Sequence, residues 1–175
     1  MPKVAFSKLN KVKSVPAETV SIADAEVTVA QYLPLAEKLD LIQAVIEQSG
    51  NGEEGFYNIV KLDTYYTIEM IRAYTNISFT EKQLEDIPKL YDAIILNGIW
   101  DVIVKAIPEK EQDYIWGNVL SMAREITDYN HSALGIMKVI SSDYSNLNFD
   151  AAAIKDNIAD PDNLKLLKTI VDKMG

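Results

Sequence analysis

The sequence predicts a mainly α protein: a single helical-bundle domain carrying a small N-terminal β-hairpin. Three observations lead there. Apolar residues make up 48% of the 175-residue chain, enough for one sizeable core. Short β-branched runs are confined to the first third. From Pro34 onward, apolar residues recur at spacings of three and four, the period of a helix face. The expected organisation is a basic arm and hairpin over residues 1–33 and a helical domain over 34–175, folding as one unit. There is no internal repeat or low-complexity tract that would mark a second domain.

Glu18–Ile22 (ETVSI) and Glu26–Val29 (EVTV) flank Ala-Asp-Ala and read as a hairpin. Val4–Leu9 and Lys11–Val15 are candidates to extend it, with Pro16 as a break. An isolated two-stranded hairpin is marginal in water, so this one must lie on the helices or pair with another chain. Pro34 suits the first turn of a helix, where a missing N–H costs nothing, and Leu35, Leu39, Ile42 and Ile46 then mark one face. That helix stops at Ser49-Gly50-Asn51-Gly52. A second helix runs from about Ile59 to Tyr74. Thr80 and Gln83 form a capping box, and a third helix starts near Pro88 and ends at Gly98, a left-handed cap. A short fourth covers Ile99–Ala106.

Pro108 opens the longest periodic segment. Ile115, Val119, Met122, Ile126, Tyr129, Ala133, Ile136 and Ile140 alternate four and three, a heptad-like seam. Its expected role is a long central helix covered by its own neighbours; the sharper alternative offers part of the stripe to a second chain. Gly135 is a candidate bend. Ser141–Asn148 reads as a loop, followed by two short helices, the last with Asp160 as N-cap and Pro161 at its first position.

The chain has no cysteine and one histidine. Cysteine nucleophiles and Cys/His zinc clusters therefore lack their parts, and His131 reads as structural or solvated. No serine sits in a Gly-x-Ser-x-Gly elbow. The stretch Gly50–Gly55 brackets Glu53 and Glu54, which would repel phosphate, so it reads as a flexible loop and not a Walker loop. Asp143–Ile154 is oxygen-rich but lacks the glycine and glutamate of an EF-hand at positions six and twelve. No carboxylate pair stands out among 26 acids. The expectation is no enzyme activity, with no catalytic residue, cofactor or metal.

Formal net charge is −9. Before Glu18 the chain carries Lys3, Lys8, Lys11 and Lys13 and no acid. Removing those four leaves 13 basic residues against 26 acids, so the body holds about −13. Such a body repels nucleic acid and anionic membrane. A basic arm on it either reaches a partner or folds back, and folding back is the favoured expectation. Nine tyrosines suit contact surfaces, since each joins apolar area to a polar tip. The adjacent Tyr65 and Tyr66 point about 100° apart on a helix, so one of the two is a candidate for exposure. The expected partner-binding residues are Lys3, Lys8, Lys11, Lys13, Tyr65 and Tyr66. With no signal-peptide pattern and no apolar run of spanning length, the chain is expected in a reducing cytosol.

The stretches VAQYLPLAEKLDLIQAVI, YTNISFTEKQLEDIPKLYDAI and IADPDNLKLLKTIVDKMG resemble small acidic helical proteins from the structural and tail-morphogenesis gene clusters of tailed bacteriophages. The likeness runs over most of the chain in wording and order, and carries over no catalytic or ligand residue. It implies a tail-assembly chaperone or a head–tail or tail virion component. Its partners would be other phage structural proteins, with no direct nucleic acid or membrane contact and room for a homo-oligomer. Production would be in the host bacterial cytoplasm. The alternative is a phage-encoded acidic inhibitor of a host nucleic-acid-binding protein, against which the 13 interspersed basic residues weigh.

Overall fold

The computed structural model describes residues 3–8, 14–50, 56–132 and 135–136. It is mainly helical, with a two-stranded antiparallel hairpin ahead of the helices. The elements in order are β1 (Ala17–Ile22), β2 (Ala25–Ala30), α1 (Leu35–Ser49), α2 (Ile59–Tyr74), α3 (Glu81–Leu84), α4 (Ile87–Leu96), α5 (Ile99–Ala106) and α6 (Glu109–Asn130). Contacts divide the chain after Asn130. Everything below concerns the first unit. Of the second, His131 and Ile136 are exposed. Ala133, Ile140, the oxygen-rich loop and the Asp160-Pro161 cap lie outside the described residues, as do Asn51–Gly55.

The hairpin closes with Ile22 opposite Ala25, so its turn is the two residues Ala23 and Asp24, with φ of 47° and 66°. Positive φ at both positions is the type I′ geometry that matches the twist of the flanking strands. Val27 and Val29 are buried and Val20 and Ile22 half-buried, so one face lies on the helical core. The hairpin thus gains the support that two strands alone lack. Val29 also bridges Thr75, and the Thr28 N–H donates to Asn76 Oδ1 at 3.0 Å. No further strand forms within residues 3–8. There Phe6–Lys8 makes a 3-10 turn closed by the Lys8 N–H on the Ala5 carbonyl.

Helix α1 begins one residue after Pro34, which serves as N-cap. Its buried face is Lys38, Leu41, Ile42, Val45, Ile46 and Ser49, while Leu35 and Leu39 are 58% and 54% exposed. The expected face was therefore rotated. Leu41 and Val45 lie beside Ile42 and Ile46 and draw the buried arc to their side, away from Leu39, whereas Leu35 shares the angle of Ile42 and Ile46 but is the first residue of the helix. Helix α2 has the predicted bounds, with the Asn58 side chain accepting from the Val60 and Lys61 N–H groups. The capping box at Thr80 and Gln83 starts the single turn α3. Asp86 caps α4, Pro88 sits in its first turn, and Gly98 at φ 65° links it to α5.

Helix α6 buries Glu111, Ile115, Val119 and Ala123, every fourth residue, and packs on α1. Met122 and Tyr129, expected on the seam, are exposed, and Ile126 is half-buried. Helix α1 likewise buries Lys38, Ile42 and Ile46, again every fourth residue. Such a row matches the i±4 ridge of a helix and departs from the alternating four and three of a coiled-coil seam.

Candidate functional site

Three features of the first unit could carry a role. The first is buried. Glu111, in the opening turn of α6, receives three hydrogen bonds from three other parts of the chain. Lys38 Nζ on α1 donates to Oε1 at 2.7 Å. The Tyr74 hydroxyl at the end of α2 donates to Oε2 at 2.9 Å, and the Leu33 N–H, between β2 and α1, donates to the same oxygen at 3.2 Å. The lysine and glutamate side chains are only 7% and 12% exposed. The Lys38 ammonium also lies over the rings of Tyr32, 4.2 Å from the centroid, and Tyr114, at 5.1 Å. Burial works to raise the Glu111 pKa, but the bonds from Lys38, Tyr74 and Leu33 outweigh it and hold the carboxyl below its ordinary value. Burial, then the bond to Glu111, pushes the Tyr74 hydroxyl far up. A carboxylate that accepts three hydrogen bonds, with its lysine buried beside it, is committed to internal contacts. Its chemistry is that of a clamp joining the hairpin exit to α1, α2 and α6.

The second feature is a groove of about 380 Å³ between α2 and α4, lined by Val60, Tyr65, Ile87, Pro88, Tyr91 and Asp92 among others. The Tyr91 hydroxyl reaches Asp63 Oδ2 at 3.2 Å, and its pKa is raised by partial burial and then by the charge of Asp63. The groove is open and mostly apolar, with no nucleophile or acid–base pair converging in it.

The third feature is the N-terminal surface. The Gln31 N–H donates to the Pro16 carbonyl at 2.8 Å. Counting along the register from that bond, Glu18–Val29, Val20–Val27 and Ile22–Ala25 are the hydrogen-bonded pairs. Ala17, Thr19 and Ser21 therefore turn their N–H and C=O groups away from β2. The outward Thr28 N–H on the opposite strand, which meets Asn76, agrees with this count. Ala17, Thr19 and Ser21 are exposed, so β1 presents an open edge. Hairpin acids Glu18, Asp24 and Glu26 are exposed, and residues 14–30 contain no Lys or Arg. Ahead of this edge, Lys3 through Lys8 are exposed throughout, including Val4 at 64% and Phe6 at 76%.

The predicted partner-binding residues are thus dispersed. Lys3 and Lys8 are exposed on the arm, while Lys11 and Lys13 lie outside the described residues. Tyr65 is half-buried on the groove wall. Tyr66 is a core residue: its ring meets Trp100 edge-on at 6.1 Å and Trp116 at 5.0 Å, so it is no surface contact. The helical 100° between neighbours placed one tyrosine of the pair in the core and left the other half-buried against it. The Glu111 clamp was missed. A lysine at 38 between apolar positions and an acid three residues after Pro108 are ordinary surface patterns, and only the fold brings them together. The β1 edge needed the register, which sequence alone does not give.

Among the described residues no group of three or more acidic or histidine side chains could hold a metal ion. No described helix is long and apolar enough to cross a membrane. No protein-family model, curated protein or solved structure matches the chain.

Proposed function

We propose that this protein works by contact in bacteriophage morphogenesis, as a tail-assembly chaperone or a head–tail or tail virion component, and catalyses no reaction. The observation that supports this best is the arm. Lys3–Lys8 holds two lysines, a valine and a phenylalanine out in solvent, on a chain whose remaining charge is strongly negative. Large apolar side chains left uncovered beside charges of one sign suit a docking segment, which gains its burial only on a partner. The partner is then a structural subunit with an acidic, part-apolar surface. The resemblance of three long stretches to phage morphogenesis proteins points the same way, and the clamped helical body would serve as a rigid base for the arm.

The test joins mass spectrometry of purified particles to affinity capture from infected cells, with the full chain and with a chain lacking residues 1–13. Stoichiometric presence in particles identifies a virion component. Absence from particles, with a tail subunit captured by the full chain and lost by the shortened one, identifies a chaperone acting through its arm. Capture of a host nuclease or polymerase in a salt-sensitive complex instead would overturn the reading.

A further inference from the structure

We propose that the acidic surface taken by the arm is the β1 edge of a second copy of this chain, so that the protein self-associates by strand addition. The inference rests on the arm acting as a docking segment, and it names the partner. Both halves of the contact are exposed in the single chain. The acceptor is the row of outward backbone groups on Ala17, Thr19 and Ser21. The donor, Lys3–Lys8, stays off its own edge, held at its end in the Ala5–Lys8 turn.

Register selects the match. An antiparallel arm whose Ala5 pairs with Ser21 and whose Ser7 pairs with Thr19 satisfies the outward groups of those two strand residues with alternating hydrogen bonds. The residues between them then fall into the close, non-hydrogen-bonded positions. Val4 comes opposite Ile22, Phe6 opposite Val20 and Lys8 opposite Glu18. Two apolar pairs thus land on the face where Val20 and Ile22 are only half-buried, and the third pair joins opposite charges. Lys3 arrives at the turn, beside Asp24. Shifting the arm by one residue turns Val4 and Phe6 to the other face, opposite Ser21 and Thr19, and sets Ser7 against Glu18. A basic arm also meets a hairpin whose only charges are acids, which offsets the repulsion between two bodies of net negative charge. Each copy carries one arm and one edge, so the contact is heterologous: it closes by symmetry or runs on.

Sedimentation velocity of the full chain over a wide concentration range tests this, beside three variants. Removing residues 1–13 deletes the donor. Thr19→Pro blocks the acceptor while sparing the β1–β2 ladder, because the Thr19 N–H points away from β2; circular dichroism checks that the hairpin survives. Each variant alone is expected to weaken self-association at least tenfold, and an equimolar mixture of the two should associate again, one supplying the edge and the other the arm. Should Thr19→Pro fail to fold, the charge pair replaces it. Lys8→Glu should weaken association about two- to fivefold, and mixing with Glu18→Lys should restore it. A cysteine-free chain also allows a direct check with Lys8→Cys and Glu18→Cys in one molecule, whose close pairing suits a disulfide. Covalent dimers and higher species are expected. Cross-links only within single chains would mean the arm closes on its own edge, and would overturn the proposal. So would a full-length chain that stays monomeric, or association that survives both Thr19→Pro and loss of the arm. A monomer that still captures a tail subunit through its arm would refute this inference alone and leave the proposed function standing.

Discussion

Glu111→Ala tests the clamp most directly. The substitution strands three donors at once: the Lys38 ammonium at 7% side-chain exposure, the Tyr74 hydroxyl and the Leu33 N–H. Removing one partner of a buried ion pair costs about 3–5 kcal/mol, because the remaining charge is left desolvated. The rings of Tyr32 and Tyr114 soften this for Lys38, each such contact being worth roughly 0.5–2 kcal/mol. A net loss of about 3 kcal/mol is expected, or roughly 10 °C in Tm for a unit of this size. Glu111→Gln keeps an acceptor for Tyr74 and Leu33 and should lose about half as much. Lys38→Met with Glu111→Leu removes both charges together and should recover most of the loss, since an apolar pair of similar volume replaces a buried ion pair at little cost.

Urea unfolding followed by tryptophan emission is the assay. Both tryptophans, Trp100 and Trp116, pack on Tyr66 inside the first unit, so the signal reports that unit whatever residues 131–175 do. A Glu111→Ala midpoint shift worth less than about 1 kcal/mol would refute the clamp. So would a double-mutant cycle between Lys38 and Glu111 with no coupling. The pH dependence adds an independent sign. A carboxyl held below its unfolded value of 4.5 contributes stability that is fully present above that value and is lost as pH falls through the folded value. The gap between wild type and Glu111→Gln should therefore narrow steadily below pH 4.5.

The remaining predictions concern local structure. Ala23→Asn with Asp24→Gly installs residues that accept positive φ at both turn positions and should stabilise the hairpin by about 1 kcal/mol, read as a higher urea midpoint. Gly98→Ala should cost roughly 1–2 kcal/mol although nothing lies within 4 Å of the added methyl, because the strain is in the backbone at φ 65°; Gly117→Ala in the middle of α6, with the same open space, should instead be stabilising by about 1 kcal/mol. Tyr66→Phe should be nearly neutral and Tyr66→Ala should cost about 3–5 kcal/mol with a large change in tryptophan emission, the signature of a core residue and not a contact residue.

Element order was legible because the punctuation is strong. Pro34, the Thr80–Gln83 box and Pro88 mark starts, Gly98 marks a junction, and β-branched clusters mark the strands. These are local signals, decided within a few residues. Faces were less legible. On α1 the apolar set is broad enough to support two neighbouring stripes, and the choice between them depends on what the helix meets. On α6 a list of apolar residues alternating four and three looks like a coiled coil, yet the buried row runs every fourth residue, from Glu111 to Ala123. Ala123, too small to score as a core anchor, is buried there, whereas the larger Met122 is not.

The clamp and the β1 edge show why the functional surface is harder to read than the fold. Lys38 and Glu111 are 73 positions apart, and each alone is an unremarkable helix charge. Their pairing follows from the packing of α1 on α6, with the buried stripe of α1 bringing Lys38 inward. Burying that lysine has a further consequence for charge. It removes the one lysine of α1 from the surface while leaving the acids Glu37 and Asp40 exposed. Among the described residues up to Ser49, exposed basic charge thereby lies in the arm alone, and exposed acidic charge in the hairpin and α1. The same packing choice that locks the core also sharpens the contrast on which arm docking depends. Glu111→Ala with an intact arm should lower stability without abolishing self-association, whereas Lys8→Glu should weaken self-association about two- to fivefold without lowering stability.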